Sequence, residues 1–139
     1  MGKDKPSSST NTFAGVWLSS YSYHHIYKDV DLRSEHYVRI YQAGEHLIVE
    51  AIPGVNRSYV LLRLSLDGNL ATGTWTEETD PQGDFKGTKY YGALQLLVSD
   101  DSRAMNGRWV AFNKTGKVQT GVWDLTYVGE EVPGGLSRL

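Results

Sequence analysis

The chain has 139 residues, of which 40% are apolar, a size typical of one domain with a single core. Its 14 Lys and Arg against 16 Asp and Glu give a formal net charge of -2, the wrong sign for a protein that binds duplex DNA by neutralising phosphates. Because of this charge, we expect no direct binding of nucleic-acid duplexes by this domain. The absence of cysteine excludes disulfides, thiolate nucleophiles and cysteine-based zinc sites.

The two ends of the sequence differ from its middle. Residues 1–12 are polar and rich in serine, and residues 130–139 contain a Pro-Gly-Gly run, so we interpret them as a flexible leader or linker and a flexible tail. A barrel domain then spans residues 13–129. The sequence has neither an apolar run long enough for a membrane span nor an early apolar segment typical of a signal peptide, so we expect a cytoplasmic location and no membrane span.

The middle of the sequence consists of short runs rich in Tyr, Val, Trp, Thr and Leu that alternate with turn residues, which predicts an all-β fold. Short connections with Gly, Asp or Asn favour hairpins between successive strands. We predict an antiparallel up-and-down barrel of eight strands, at residues 13–23, 35–42, 46–52, 57–66, 71–79, 88–98, 105–112 and 118–128. The two longer links, residues 24–34 and 80–87, are expected to cover one mouth of this barrel.

All four tryptophans follow a glycine by two residues, in Gly15-Val16-Trp17, Gly73-Thr74-Trp75, Gly107-Arg108-Trp109 and Gly121-Val122-Trp123. Because side chains alternate across a strand, the Gly and Trp of each copy face the same side, where glycine leaves space beside a large ring. If the tryptophans point inward, the same register predicts further inward side chains at Ser19, Tyr21, Tyr23, Glu77, Thr79, Ala111, Leu125 and Tyr127. It also predicts outward side chains at Thr72, Thr74, Thr76, Arg108 and Val110.

The candidate ligand contacts are aromatic side chains with a few polar groups among them. Tyrosine can stack on a planar ligand and orient it through the hydroxyl, a carboxylate can accept a hydrogen bond, and arginine can hold an anion. The predicted ligand-binding residues are Trp17, Tyr21, Tyr23, Arg39, Trp75, Glu77, Tyr90 and Trp109. Tyr90 and Tyr91 are adjacent, so only one of them can face inward.

The histidines do not indicate a catalytic or metal site. His24, His25, His36 and His46 lack the spacing of paired metal ligands, and no serine can be matched to one of them as an activated nucleophile. We interpret all four as loop or surface residues. We predict no enzymatic activity, no metal and no cofactor.

The early Gly-x-Trp followed by a meander resembles the lipocalin and avidin-like calycin barrels, which bind small ligands inside the barrel. Four segments resemble a domain C-terminal to a helix-turn-helix segment in some bacterial transcriptional regulators: Glu35-His36-Tyr37-Val38, Ala71-Thr72-Gly73-Thr74-Trp75, Tyr91-Gly92-Ala93-Leu94-Gln95-Leu96 and Met105-Asn106-Gly107-Arg108-Trp109-Val110. The resemblance implies a calycin-like fold and a sensory role. The chain is also similar to the small barrel that follows membrane helices in some bacterial antiphage effectors and binds cyclic oligonucleotides.

These observations favour a small-molecule-binding barrel that forms the ligand-sensing part of a bacterial regulatory protein. One alternative is a cyclic-oligonucleotide-binding barrel of an antiphage signalling system, in which aromatic rings stack on bases and arginines hold phosphates. The other is a barrel filled by its own side chains that acts as a protein-interaction module, because eight strands leave little room inside. The sequence leaves homo-oligomer formation open.

Overall fold

A computed structural model describes residues 12–25, 28–54 and 56–135. Eight antiparallel strands form a closed barrel in which each strand pairs with its neighbours along the chain and the last pairs with the first. The strands are β1 (Gly15–His25), β2 (Val30–Ala43), β3 (His46–Ala51), β4 (Tyr59–Asp67), β5 (Leu70–Glu78), β6 (Lys89–Val98), β7 (Ala104–Phe112) and β8 (Val118–Gly129). The predicted all-β, eight-stranded up-and-down barrel is confirmed.

The segments outside the barrel are only partly described. Most of the predicted leader, residues 1–11, and the last four residues of the predicted tail lie outside the described residues. A short 3-10 helix, Pro133–Gly135, follows β8. No helix in the described part of the chain has the length and apolarity that crossing a membrane requires.

The connections distinguish the two ends of the barrel. At one end, which we call the turn end, tight turns join β2 to β3 and β4 to β5, and each contains a glycine with a positive φ, Gly44 at 61° and Gly68 at 62°. At the other end, which we call the mouth, lie the β1–β2, β3–β4, β5–β6 and β7–β8 connections. The β5–β6 connection, residues 79–88, is the longest of these.

The predicted link at residues 24–34 is wrong in its bounds. β1 continues to His25 and β2 already begins at Val30, with the register unbroken from the Gly15–Ile40 pair to the His25–Val30 pair. The charged residues from Asp31 to Glu35 belong to β2, where their alternation with Leu32 and Ser34 gives the strand one exposed face.

The four tryptophans point into the barrel and are at most 8% exposed. The predicted inward and outward residues follow the same alternation: Leu125 is buried and Tyr127 packs against the core, whereas Thr72 and Arg108 are exposed. The main core residues are Trp17, Val38, Ile40, Leu47, Val49, Leu62, Leu96, Met105, Trp123 and Leu125.

The predicted role of the glycines needs correction. A Cβ at Gly121 would collide with the indole of Trp109, and one at Gly92 would collide with Trp75, so the glycine beside a ring belongs to the neighbouring strand. Gly73 instead lies against the backbone of Arg63, and Gly107 likewise lies against the backbone of the adjacent strand. These two glycines permit close approach of neighbouring strands.

Candidate ligand site at the barrel mouth

The centre of the barrel is filled by the chain's own aromatic side chains. The ring centroids of Trp75 and Trp109 are 5.5 Å apart, and those of Trp75 and Trp123 are 5.7 Å apart. The four indole N–H groups donate to acceptors of the same chain: Phe13 O for Trp17, Ala93 O for Trp75, Ser22 O for Trp109 and Ser19 Oγ for Trp123. Trp17, Trp75 and Trp109 are therefore packed core residues, and their direct contact with a ligand stays a prediction.

Polar side chains replace this aromatic packing toward the mouth. Tyr21 on β1 donates a hydrogen bond of 2.6 Å from its hydroxyl to Oε2 of Glu77 on β5. These strands are four positions apart in a ring of eight, so the bond crosses the barrel. The ring of Tyr21 also stacks on Trp123, with centroids 4.5 Å apart. The polar groups at the mouth thus rest on the aromatic core below them.

Burial changes the protonation of this pair. It raises the pKa of the Glu77 carboxyl, although hydrogen bonds from Tyr21 and Ser58 oppose the shift. Burial also raises the pKa of Tyr21 well above its usual value, and the nearby charge of Glu77 adds to this effect. Tyr21 therefore stays neutral, and Glu77 binds a proton more readily than a carboxyl in water.

His36 on β2 lies beside this pair and is only 1% exposed. Its ring is parallel to that of Tyr21, with centroids 6.2 Å apart and an interplanar angle of 9°. Burial lowers the pKa of His36 to about 4, and the backbone of Ser58 opposes this only in part. The ring is neutral at pH 7 and offers one donor and one acceptor. Its contact with the Ser58 backbone is too poorly aligned to count as a hydrogen bond, and neither nitrogen has another partner within the described residues.

The 79–88 connection crosses the mouth and is held on its far side by His25. Nε2 of His25 lies 2.9 Å from Oδ2 of Asp84, and the ring of Phe85 lies 5.1 Å from the His25 ring. The backbone N–H of Lys28 donates to Nδ1 of His25, so in the neutral ring Nε2 carries the proton and donates to Asp84. The prediction that residues 80–87 cover a mouth is confirmed by these contacts with β1.

The structure brings four predicted ligand contacts together at the mouth. Tyr21 and Tyr23 lie on β1 with ring centroids 6.1 Å apart, and Tyr90 is the backbone partner of Glu77 and shares its inward side. Tyr91 faces outward and is 64% exposed. Arg39 is not part of this group, because it lies on the outer face of β2 toward the turn end.

The interpretation of the histidines as loop or surface residues is wrong for two of them. His25 is 3% exposed and His36 is 1% exposed, and both are strand residues at the mouth. The signal for His36 was present in the sequence, since it alternates with Val38 and Ile40 on one face of β2. The contact of His25 with Asp84 had no such signal, because it joins distant parts of the chain.

The charge of the mouth limits what can bind there. Glu77 faces inward, Asp84 crosses the opening, and the described strand residues facing inward at this end include no Lys or Arg. Arg57 is near the rim, but its side chain is 65% exposed and lies 3.8 Å from Asp80. The site therefore favours a neutral or cationic ligand over an anion.

A surface cavity of about 440 Å³ lies at the turn end between Phe13 and the hairpin turns. Its carboxylates, from Glu45, Asp67 and Asp100, are exposed to solvent. Its lining contains none of the predicted ligand contacts. The mouth is the stronger candidate because Tyr21 and His36 are buried there, and His36 makes no well-formed hydrogen bond within the described residues. The chain matches no known protein-family model, and none of the curated proteins shows significant similarity to it.

Proposed function

We propose that this domain is a small-molecule-binding sensory barrel, the ligand-sensing part of a cytoplasmic bacterial regulatory protein, and that its ligand binds at the mouth. The observation that carries the proposal is His36, a neutral, buried ring whose two nitrogens make no well-formed hydrogen bond within the described residues, apart from a poorly aligned contact with the Ser58 backbone. Buried polar groups in folded proteins are nearly always satisfied, so an unpaired pair of this kind indicates a missing partner. The calycin-like architecture supports the same proposal.

The ligand that fits these groups is a small planar molecule that is neutral or cationic. Tyr23 and Tyr90 offer aromatic faces at the opening, while His36 can both donate and accept one hydrogen bond. Glu77 accepts hydrogen bonds and favours a ligand that carries N–H donors. Because the centre of the barrel is filled, the ligand lies at the mouth and not deep inside the barrel.

The 79–88 connection gives this site a means of signalling. A ligand that reaches His36 must pass the segment that Asp84 and Phe85 hold against His25. Asp84 is 54% exposed, so breaking its contact costs little. Ligand binding then shifts the connection between a closed and an open arrangement, which a neighbouring domain or protein can detect.

Cyclic-oligonucleotide binding has less support. Its phosphates would meet the carboxylates of Glu77 and Asp84, and Arg39 lies away from the mouth. The second candidate function is a protein-interaction module. The packed tryptophans favour it, because a barrel that fills its own interior presents its outer surface for binding.

A thermal-shift screen tests the proposal, since a ligand that binds only the folded state raises the melting temperature. The panel contains aromatic amines, neutral heteroaromatics, cyclic dinucleotides and fatty acids. We expect an amine or heteroaromatic to raise the melting temperature of the parent chain and of His46→Phe, a control at an exposed histidine, but not of a folded His36→Phe variant. A response to cyclic dinucleotides or fatty acids alone, or to none of the compounds, contradicts it.

A further inference from the structure

Three large apolar side chains lie side by side on the outer surface of the barrel. Tyr91 on β6, Phe112 on β7 and Val118 on β8 are 64%, 72% and 61% exposed. Phe112 is paired with Val118. The β6–β7 pairing ends at Ala93–Val110, and the same register carried two residues further places Tyr91 on the Phe112 side of β6. Val110, 39% exposed, extends the group along β7. We call Tyr91, Phe112, Val118 and Val110 the outer apolar patch.

Other parts of the outer surface are built differently. Outward side chains on neighbouring strands form polar pairs, Asn106 with Asp124, Gln95 with Thr72 and Tyr59 with Glu50, and Arg33 on β2 reaches across β1 to Asp124 on β8. Isolated exposed apolar residues such as Leu97, 53% exposed, are ordinary on protein surfaces. A contiguous row across three strands is not, and such rows mark interaction sites.

Positive charges flank the patch. The amino group of Lys89 lies 5.6 Å from the ring centroid of Tyr91, and Lys114 and Lys117 are exposed in the turn that joins Phe112 to Val118. That turn, residues 113–117, contains no carboxylate. None of the three lysines forms an ion pair with another described residue. Glu78 is exposed opposite Lys89 on the neighbouring strand, so the basic character of the patch rests on Lys114 and Lys117, in a chain with a formal net charge of -2.

We propose that the outer apolar patch binds an acidic segment of a partner protein, with apolar side chains of that segment on Phe112 and Val118 and its carboxylates on Lys114 and Lys117. Charge complementarity favours this occupant. A second copy joined patch to patch would bring like-charged lysines together. An anionic lipid surface covering this end of the barrel would meet Asp84 and the exposed carboxylates of Asp29 and Asp31. The inference is independent of the ligand site at the mouth.

Fluorescence anisotropy with defined peptides tests the proposal. The probe is a labelled peptide of alternating Glu and Leu, and its controls are peptides of alternating Glu and Ser and of alternating Lys and Leu. We expect only the Glu-Leu peptide to bind the parent chain. Phe112→Ser should weaken it at least about tenfold, and so should the double variant Lys114→Glu, Lys117→Glu. Leu97→Ser, a matched change on the outer face of β6, should bind like the parent chain.

Melting curves of each variant establish that the barrel is folded, which is expected because every changed side chain is exposed. Equal binding of the Glu-Leu and Glu-Ser peptides, or equal loss in Phe112→Ser and Leu97→Ser, overturns the proposal. Two other results would also overturn the proposal. One is a dimer in sedimentation equilibrium that depends on Phe112. The other is binding to phosphatidylserine vesicles that depends on Phe112, with no binding of the Glu-Leu peptide.

Discussion

At the turn end of the barrel the interior is apolar, whereas at the mouth it is polar and partly covered by a connection between strands. Trp17 at the turn end packs between Phe13 and Tyr127, with ring centroids 6.3 and 5.6 Å away. At the mouth, Tyr21 is buried and hydrogen-bonded to the partly buried Glu77, and the buried ring of His36 lacks well-formed hydrogen bonds. The difference is consistent with the proposed division, in which one end of the barrel stabilises the fold and the other holds the ligand site, since unsatisfied groups cluster at functional sites.

The sharpest test of this comparison is the removal of a core ring at the turn end. Trp17 is 0% exposed, so Trp17→Ala should lower the free energy of unfolding by about 3–5 kcal/mol through lost burial and a residual cavity. Leu97→Ala, an exposed control, should change it by no more than about 0.5 kcal/mol. Urea unfolding followed by fluorescence measures both, and a Trp17→Ala cost below that of the mouth variants would refute the comparison.

The stability of the fold should depend on pH through His36 at the mouth. Its pKa is 6.5 in an unfolded chain and about 4 in the folded one, so the folded state prefers the neutral ring. This stability is fully present above about pH 6.5 and is lost as the pH falls toward 4, to a total of about 3 kcal/mol. The raised pKa of Glu77 has the opposite effect on stability. As the pH falls, protonation of Glu77 removes a buried charge and so favours the folded state.

The comparison of the parent chain with His36→Phe separates these two groups. The variant retains Glu77 but lacks the titrating ring, so its free energy of unfolding should fall less between pH 7 and about pH 4.5 than that of the parent chain. Denaturant unfolding at both pH values provides the measurement. Parallel losses in the two proteins would show that His36 is not buried as a neutral ring.

A smaller loss is expected when the hydrogen bond across the mouth is removed. Tyr21→Phe keeps the ring on Trp123 but leaves the Glu77 carboxyl without its 2.6 Å donor. We expect a loss of about 1–3 kcal/mol in the free energy of unfolding, the usual cost of an unsatisfied buried group. The double variant Tyr21→Phe, Glu77→Leu should recover part of this loss, and a further additive loss would show that the pair does not interact.

The smallest effect on global stability is expected at the connection over the mouth. Asp84→Ala removes the carboxylate that contacts His25 but no core side chain. The free energy of unfolding should therefore change by less than about 0.5 kcal/mol. Amide hydrogen exchange of residues 80–88 should nevertheless become faster, because local opening no longer breaks this contact. Unchanged exchange in this segment would mean that Asp84 does not hold it in place.

Much of the barrel follows from local alternation. Tyr21, Glu77 and Leu125 each lie an even number of positions from an inward tryptophan on the same strand, so the direction of their side chains was predictable. The bounds of β2 were not, because the polar residues of its exposed face resemble a loop. An alternation of period two is weak evidence for a strand when the segment is charged and contains few hydrophobic residues.

The site was only partly predictable because its central contacts are not local. Glu77 and Tyr21 were separate candidates, but their bond depends on closure of the barrel, which places β1 opposite β5. The same holds for His25 and Asp84. Arg39 was grouped with the aromatic candidates by chemistry alone, and its position on the outer face shows that residue type does not determine proximity.

The closed ring of strands also restricts how any partner can recognise this domain. A sheet with free borders can accept an added strand through backbone hydrogen bonds, which is a common mode of peptide capture and of aggregation. In this barrel every strand from β1 to β8 has two hydrogen-bonded neighbours. Because no whole strand edge is free, recognition of this domain depends mainly on side-chain chemistry.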